Sequence, residues 1–318
     1  MIIGKIAFMF PGQGTQYVGM GKDLYQNYEK IRSLYLEGSK NLNLDLTKLS
    51  FEGPKEELLK TQNQQPCIHT LEVSLFQILK ERLIIPDFVV GYSLGEYAAL
   101  VASQIFEYKD TVNITRKRGI FMESEVPNGI GKMCMINGLS LNEVKSIVND
   151  IKDISFVEIS NINTPSSIII SGYSKGVELA QQKALEKGAN KTIFLKVSGP
   201  FHTILLKNAG KNLKNELKKI KSNIPKINYI PNYSGEIYNY KNENIIDVLE
   251  KHIYMPVLWE KTISTLVENG VRTFIEIGPG KSLCKYTRKC LEKYDFETYV
   301  LGIENYNELQ DFLKTINK

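Results

Sequence analysis

Short apolar runs alternate with longer amphipathic segments along most of the chain. Runs at residues 5–10, 88–90 and 271–277 have the length and composition of buried strands, and weaker ones lie near 228–231 and 298–302. Helices are predicted at 20–28, 67–82, 109–124, 205–221 and 307–316, and two more begin at Glu96 and Lys281. This pattern predicts an α/β fold.

The segment from residue 131 to 193 has a rhythm of its own. Its apolar runs and helical stretches follow the order strand, helix, strand, strand, helix, strand, which is typical of a ferredoxin-like unit. We therefore predict a small inserted lobe at 128–198, and a large lobe made of 1–127 and 199–318. The turn Asn163-Thr164-Pro165 is the part of the small lobe predicted to reach back toward the large one.

Composition is typical of a globular protein rather than a membrane or fibrous one. The chain has 318 residues, of which 42% are hydrophobic and 24% charged, and a net charge of +5. That excess fits either an acidic partner or a solvated lysine-rich surface. The N-terminal apolar run is broken by Pro11-Gly12 and has no secretory pattern, and the four cysteines have no metal or disulfide spacing. We expect a cytoplasmic monomer with reduced thiols that needs no metal or cofactor and binds neither nucleic acid nor membrane.

The stretch VVGYSLGEYAAL, residues 89–100, contains the clearest chemical motif. A predicted strand meets Gly91-Tyr92-Ser93-Leu94-Gly95, and a helix follows at once. In that context Gly-x-Ser-x-Gly is a nucleophile elbow, in which a strained turn exposes the serine and the glycines remove clashing Cβ atoms. The alternative is a tight turn whose serine only caps the helix.

Four other positions carry candidate chemistry. Gln13 lies in a glycine-rich loop after the first strand, and Gln65 precedes a proline at the predicted start of a helix. His202 follows a stiff Gly-Pro turn at the return from the small lobe, which makes it the best available base for a serine. Of the adjacent cations Arg116, Lys117 and Arg118, helical spacing allows one to face inward, where a buried arginine needs an anionic partner.

Taken together, the motifs resemble one family. The segments are FPGQGTQYVGMG (10–21), QQP (64–66), GYSLGEYAAL (91–100), RGIFM (118–122), NTPSSIIISG (163–172), GPFHT (199–203), MPVLW (255–259) and EIGPG (276–280). In this order the chain resembles the malonyl-CoA:acyl-carrier-protein transacylase family, and also free-standing acyltransferases that load polyketide synthases in trans. The resemblance implies an α/β-hydrolase-like large lobe with an inserted ferredoxin-like small lobe.

The resemblance also implies a role for each matching residue. Ser93 matches the nucleophile that becomes malonylated, and His202 matches its base, which a main-chain carbonyl at Leu258 would orient. The remaining matches are the oxyanion-hole amides of Gln13 and Leu94, the malonyl-carboxylate partner Arg118, and the cleft residues Gln65 and Asn163. The implied partners are malonyl-CoA as substrate and an acidic, phosphopantetheinylated acyl carrier protein.

Three positions bear on specificity. Phe201 is bulky where family members that accept an α-methyl group carry a small residue, so malonyl is predicted over methylmalonyl. Tyr92 replaces a histidine common among relatives, and Leu258 replaces a glutamine or arginine. Both changes lie in the surroundings of the site. The segment GPFHT (199–203) favours the polyketide branch of the family.

Two alternatives to a fatty-acid or polyketide transferase follow from the same residues. A thioester hydrolase that clears carrier proteins would need no carboxylate partner, so Arg118 counts against it. A non-catalytic docking module would not need both Ser93 and His202.

Overall fold

A parallel five-stranded sheet forms the centre of the large lobe. The structure, a computed structural model, describes residues 2–127 and 129–316. The strand order is β7-β2-β1-β8-β9, and every pairing between these strands is parallel. The strands are β1 (Lys5–Phe10), β2 (Phe88–Gly91), β7 (Asn228–Ile230), β8 (Val271–Ile277) and β9 (Tyr299–Ile303). β1, β2 and β8 are almost continuously buried, as expected for strands covered on both faces. The α/β class is confirmed.

Helices cover both faces of this sheet. Before the small lobe they are α1 (Lys22–Asn27), α2 (Glu29–Leu42), α3 (Leu46–Phe51), α4 (Lys55–Leu59), α5 (Thr61–Glu81), α6 (Glu96–Ala102) and α7 (Tyr108–Glu125). After it they are α10 (Lys207–Leu217), α11 (Ile245–Tyr254), α12 (Trp259–Glu268), α13 (Ser282–Leu291) and α14 (Tyr306–Ile316). Most predicted helices are confirmed to within a few residues. α2, α3 and α4 lie between two predicted helices, in a part of the chain for which no helix was predicted.

The helix predicted to open at Pro66 begins five residues earlier, at Thr61, so Pro66 lies inside it. The extra turn is held by side chains that reach the end of α4, since Asn63 Nδ2 donates to the Glu57 carbonyl and Gln64 Nε2 to the Leu59 carbonyl. Both amides are buried. Tertiary contacts therefore outweigh the usual preference for proline in the first turn.

The small lobe has the predicted ferredoxin-like order. Its elements are β3 (Gly131–Asn137), α8 (Leu141–Ile151), β4 (Val157–Thr164), β5 (Ser167–Tyr173), α9 (Ser174–Glu186) and β6 (Lys191–Phe194). The strands form an antiparallel sheet in the order β4-β5-β3-β6. Buried aliphatic side chains of the sheet and both helices form a separate core. These elements lie within the predicted 128–198 lobe. Residue 128, the predicted boundary, is outside the described residues, so the exact division stays a prediction.

The two lobes meet along β4. Val257 of the large lobe exchanges backbone hydrogen bonds with this strand, donating to the Ser160 carbonyl and accepting from Ile162 N–H. Asn163, predicted to lie in a turn, is within β4, and its carbonyl accepts from the Cys290 thiol of α13. The predicted contact of this segment with the large lobe is thus present, but it arises from a strand.

Candidate active site

The carboxyl ends of the parallel strands bring the candidate residues together. Gln13 follows β1, Ser93 follows β2 and Asn232 follows β7. These strands are neighbours in the sheet, so their ends lie at one edge. The site is assembled by strand order from segments far apart in sequence.

Ser93 lies on strained backbone at the turn between β2 and α6. Its φ is +52°, a left-handed value that few non-glycine residues adopt. A Cβ on Gly91 would come within 2.1 Å of Glu96 N, and one on Gly95 within 2.0 Å of the Phe10 carbonyl oxygen. Both glycines are required sterically, as the elbow interpretation predicted.

His202 forms a hydrogen-bonded pair with the serine. The distance from Ser93 Oγ to His202 Nε2 is 2.8 Å, and His202 is also in the left-handed region, with φ +58°. Its Nδ1 lies 3.1 Å from the His252 carbonyl oxygen and 3.2 Å from that of Met255. Carbonyl oxygens only accept, so Nδ1 carries the proton and Nε2 is left free to accept one.

The expectation that Leu258 orients His202 is wrong. The Leu258 carbonyl instead accepts from Thr262, because Leu258 caps the start of α12. The orienting carbonyls belong to the end of α11, where the last turn leaves such groups available.

Arg118 is the inward-facing member of the three adjacent cations. It is fully buried on α7, and its Nη2 donates to Ser93 Oγ at 3.1 Å. Its Nη1 donates to Gln65 Oε1 at 2.9 Å, and its guanidinium carbon lies 5.6 Å from the centroid of the Tyr97 ring. Lys117, one residue earlier, pairs with Glu216 near the surface. A buried guanidinium beside the serine is suited to an anionic group.

Two glutamines extend this hydrogen-bond chain. Gln65 Nε2 donates to Gln13 Oε1 at 3.1 Å, so Gln13 is linked through Gln65 to Arg118. Leu94 is the second residue of the short 3₁₀ turn that begins at Ser93, and its side chain is buried. The oxyanion-hole role of the Gln13 and Leu94 amides stays a prediction.

Tyr92 and Asn163 contact each other on the other side of the elbow. Tyr92 Oη donates to Asn163 Oδ1 at 2.7 Å and accepts from Asn161 Nδ2 at 2.9 Å. The ring packs edge-on against Trp259. Tyr92 therefore ties the elbow to the small lobe, and no contact joins Asn163 to Ser93 or Arg118 among the hydrogen bonds of the described residues.

An open cavity of about 510 Å³ reaches His202. His202, Ile204 and Met255 line it on the large lobe, and Lys145 and Glu158 line it on the small lobe. Phe201, beside His202, is 5% exposed. A cleft of this volume between two lobes has room for a flexible thioester arm. The effect of Phe201 on malonyl selectivity stays a prediction.

All three histidines are buried and neutral. Burial, together with the positive charge of Arg118, lowers the pKa of His202 to about 3. Burial alone lowers the pKa of His69 to about 3, and burial with Arg118 and His202 holds that of His252 well below its usual value. His252 therefore does not act as a capping cation, although the sequence places it near a helix end, because a fully buried imidazole beside a guanidinium loses its proton.

These shifts predict acid sensitivity. Below pH 6.5 the unfolded chain protonates three histidines that the folded chain keeps neutral, so the free energy of unfolding falls as pH falls. Burial raises the pKa of Glu96 and Glu276 to about 7 and that of Glu72 well above its usual value, so these three carboxyls oppose this trend down to about pH 4.5. Below pH 4.5 the histidines dominate, and urea titrations followed by circular dichroism should show a loss of up to about 4 kcal/mol per pH unit between pH 4.5 and 3.5.

His69→Gln provides the control for that prediction. His69 Nε2 bonds Thr111 Oγ1 at 2.8 Å, away from the serine, and a glutamine amide can replace the bond. The variant should reduce the pH slope by about 1.4 kcal/mol per pH unit. An unfolding free energy that is constant from pH 4.5 to 3.5 would contradict the prediction.

Sequence reasoning missed two polar residues at the elbow. Asn232 Oδ1 accepts from Ser93 N–H at 2.6 Å, and Glu96, the first residue of α6, is completely buried beneath it. The available signal was positional, since Asn232 lies two residues after a strand of the parallel sheet and Glu96 directly follows the motif.

Two structural features are absent from residues 2–127 and 129–316. No group of three or more histidine, cysteine, aspartate and glutamate side chains is placed to hold a metal ion. No helix there is long and apolar enough to cross a membrane. All four cysteines are free and buried, and burial raises the pKa of the Cys67 thiol to about 12.

Comparisons with known proteins agree with the geometry. The model of the acyl transferase domain family matches residues 7–318. The malonyl CoA-acyl carrier protein transacylase of Bacillus subtilis is 41% identical over 316 residues, which cover 97% of this chain and 99% of the relative. The crystal structure of the corresponding Clostridium perfringens protein superposes with a TM-score of 0.94 at 35% identity, covering 98% of this chain and 97% of that one. A type II polyketide acyl-carrier protein in complex with its malonyl-transacylase gives a TM-score of 0.93 at 31% identity, with 98% and 99% covered.

Proposed function

Because the chain belongs to the malonyl-CoA:acyl-carrier-protein transacylase family, we propose that it transfers malonyl from CoA to a carrier-protein thiol through a malonyl-Ser93 ester. The observation that carries this proposal is the placement of Ser93 Oγ between His202 Nε2 and Arg118 Nη2. One neighbour accepts a proton, and the other is a buried cation that an acyl carboxylate can pair with.

The first half-reaction uses the hydrogen bonds already present. His202 Nε2 takes the Ser93 proton as Oγ attacks the thioester carbonyl, and the carbonyls of His252 and Met255 stabilise the imidazolium that forms. The oxyanion would accept from the amides of Gln13 and Leu94, each such donor being worth about 3 kcal/mol. The carbon–sulfur bond breaks, and CoA leaves with the proton from His202. The carrier thiol then attacks the ester by the same route in reverse.

Arg118 explains why the acyl group should be malonyl. The malonyl carboxylate is only a few bonds from the ester oxygen, so it can turn back onto a guanidinium that lies 3.1 Å from that oxygen. Gln65 holds Nη1, which fixes the plane of the guanidinium for a two-bond contact with a carboxylate. Pairing with the malonyl carboxylate also neutralises the charge of Arg118, which is the second cause, next to burial, of the lowered pKa of His202. A dicarboxylic substrate would thereby make its own base stronger.

The second substrate is a phosphopantetheinylated acyl carrier protein. The net charge of +5 is compatible with an acidic partner, and both fatty-acid and polyketide carriers present the same thiol. The chemistry is therefore common to both pathways. The polyketide branch, the cytoplasmic location and the monomeric state remain predictions from the sequence.

Sequential incubation with malonyl-CoA and a holo-carrier protein tests this proposal. Mass spectrometry of the intact protein should show one malonyl group, which peptide mapping should assign to Ser93. Added holo-carrier should then remove it and become malonylated. Rapid release of free malonate without carrier loading would instead identify a hydrolase, and the absence of any adduct would favour a docking module.

A further inference from the structure

The backbone on either side of Tyr92 is held by one side chain from a neighbouring strand end. Asn232 Oδ1 accepts from Ser93 N–H at 2.6 Å, and its Nδ2 donates to the Gly91 carbonyl at 2.5 Å. The amide thus uses both ends to bracket the turn. Only 3% of Asn232 is exposed, so water does not readily substitute for these bonds.

Asn232 is in turn held by a buried carboxylate. Its backbone N–H donates to Glu96 Oε2 at 2.9 Å, and the Tyr229 hydroxyl donates to Glu96 Oε1. Glu96 is fully buried at the start of α6, three residues after the serine. The loop after β7 is therefore fastened to the helix that the elbow begins.

The same carboxylate lies beside the residue that orients the base. Glu96 Oε2 is 3.6 Å from His252 Nε2, and the His252 carbonyl accepts from His202 Nδ1. Glu96 thus adjoins the supports of both the nucleophile and the base. The pKa of Glu96 is raised to about 7, because burial outweighs the opposing effect of its hydrogen bonds to Tyr229 and Asn232.

We propose that Asn232, anchored by Glu96, is a positioning residue that holds Ser93 in its left-handed conformation, with Oγ directed at His202 Nε2. This inference rests on the proposed role of Ser93 as the nucleophile. The physical reason is that a φ of +52° is unfavourable for serine, so without a restraint the turn relaxes and Oγ moves. The Gly91 carbonyl and Ser93 N–H lie on either side of Tyr92, and restraining both limits that relaxation.

Rapid-quench measurement of malonyl-Ser93 formation tests the proposal. Asn232→Ala should slow acylation by about 100-fold, the usual effect of a displacement near 1 Å, with little change in KM for malonyl-CoA. Circular dichroism and thermal unfolding establish that the variant is folded. If the alanine variant does not fold, Asn232→Ser replaces it in the acylation measurement, because its hydroxyl can keep at most one of the two bonds.

Variants of Glu96 test the anchor. Glu96→Ala should also slow acylation, and the double variant Glu96→Ala/Asn232→Ala should be no slower than the slower single variant, because both changes break one link. Glu96→Gln can accept from Asn232 N–H and donate to the Tyr229 oxygen. It should therefore acylate about tenfold faster than Glu96→Ala.

Asn228→Ala is the matched control. Asn228 lies on β7, the strand that leads to Asn232, is exposed, and its side chain donates to the Asp87 carbonyl, so this variant should acylate like wild type. An Asn232→Ala variant that acylates Ser93 at the wild-type rate, or that changes KM alone, would overturn the positioning role. Additive losses in the double variant would overturn the Glu96 anchor. A wild-type protein that forms no malonyl-Ser93 would instead refute the proposed function itself.

Discussion

Ser93→Ala is expected to abolish the malonyl adduct and to lower kcat/KM for transfer by about 10⁶-fold, as loss of a nucleophile does in comparable sites. Ser93 Oγ is the hydroxyl that both His202 Nε2 and Arg118 Nη2 contact, so its removal leaves no atom to carry the acyl group between substrates. Carrier-protein loading from malonyl-CoA, followed by mass spectrometry, measures the loss.

The same assay with three further variants makes the result specific. His202→Ala should cost about as much as Ser93→Ala, and the double variant should lose little more, because the pair acts as a unit. Ser103→Ala is the control, since Ser103 is a buried serine at the end of α6 whose hydroxyl bonds only the Leu100 carbonyl. Normal carrier loading by Ser93→Ala would refute the Ser–His mechanism.

Arg118→Ala is expected to change which acyl group is transferred. Malonyl transfer should fall by about 10²- to 10³-fold, the usual cost of removing one partner of a buried charge pair. Acetyl transfer should be spared or rise, because the buried cation that disfavours an uncharged acyl group is gone. The pKa of His202 should also rise, since the charge of Arg118 no longer lowers it and only burial does. Parallel kcat/KM measurements with malonyl-CoA and acetyl-CoA check both outcomes.

Lys117→Ala is the matched control for this change. Lys117 is the preceding residue on α7 and pairs with Glu216 near the surface, so its loss should leave the malonyl-to-acetyl ratio unchanged. Arg118→Lys keeps the positive charge but lacks the planar guanidinium that can bind a carboxylate with two hydrogen bonds. It should recover only part of the malonyl activity. Equal losses for malonyl and acetyl in Arg118→Ala would show that Arg118 supports the site without reading the carboxylate.

Much of the fold could be predicted because its signals are local. Apolar runs located β1, β2 and β8, and alternating strands and helices indicated the ferredoxin-like lobe. The prediction failed where specific contacts outweigh residue propensity. The turn before Pro66 is helical because buried amides reach the carbonyls of α4, and Asn163 lies in a strand because β4 continues its pairing with β5 to Thr164.

The site was predicted less evenly, and the differences have physical causes. The carbonyl of Leu258 was the wrong choice. Which main-chain carbonyl contacts His202 depends on where α11 ends, and no side chain in the sequence specifies that end. Tyr92 looked out of place in the motif, but its hydroxyl joins the elbow to Asn161 and Asn163 of the small lobe. That partner could be seen only once the lobes were packed together.

The strained serine turn, its two glycines and the order of elements follow from the amino-acid sequence alone, because steric limits and apolar periodicity act between residues close in the chain. The surroundings of the serine depend on how the chain folds in three dimensions. His202 lies 109 residues from Ser93 in the sequence, and Asn232, whose side chain holds the backbone of Ser93, lies 139 residues from Ser93. The parallel strand order brings these residues to one edge of the sheet, and burial there sets the charge states on which the chemistry depends.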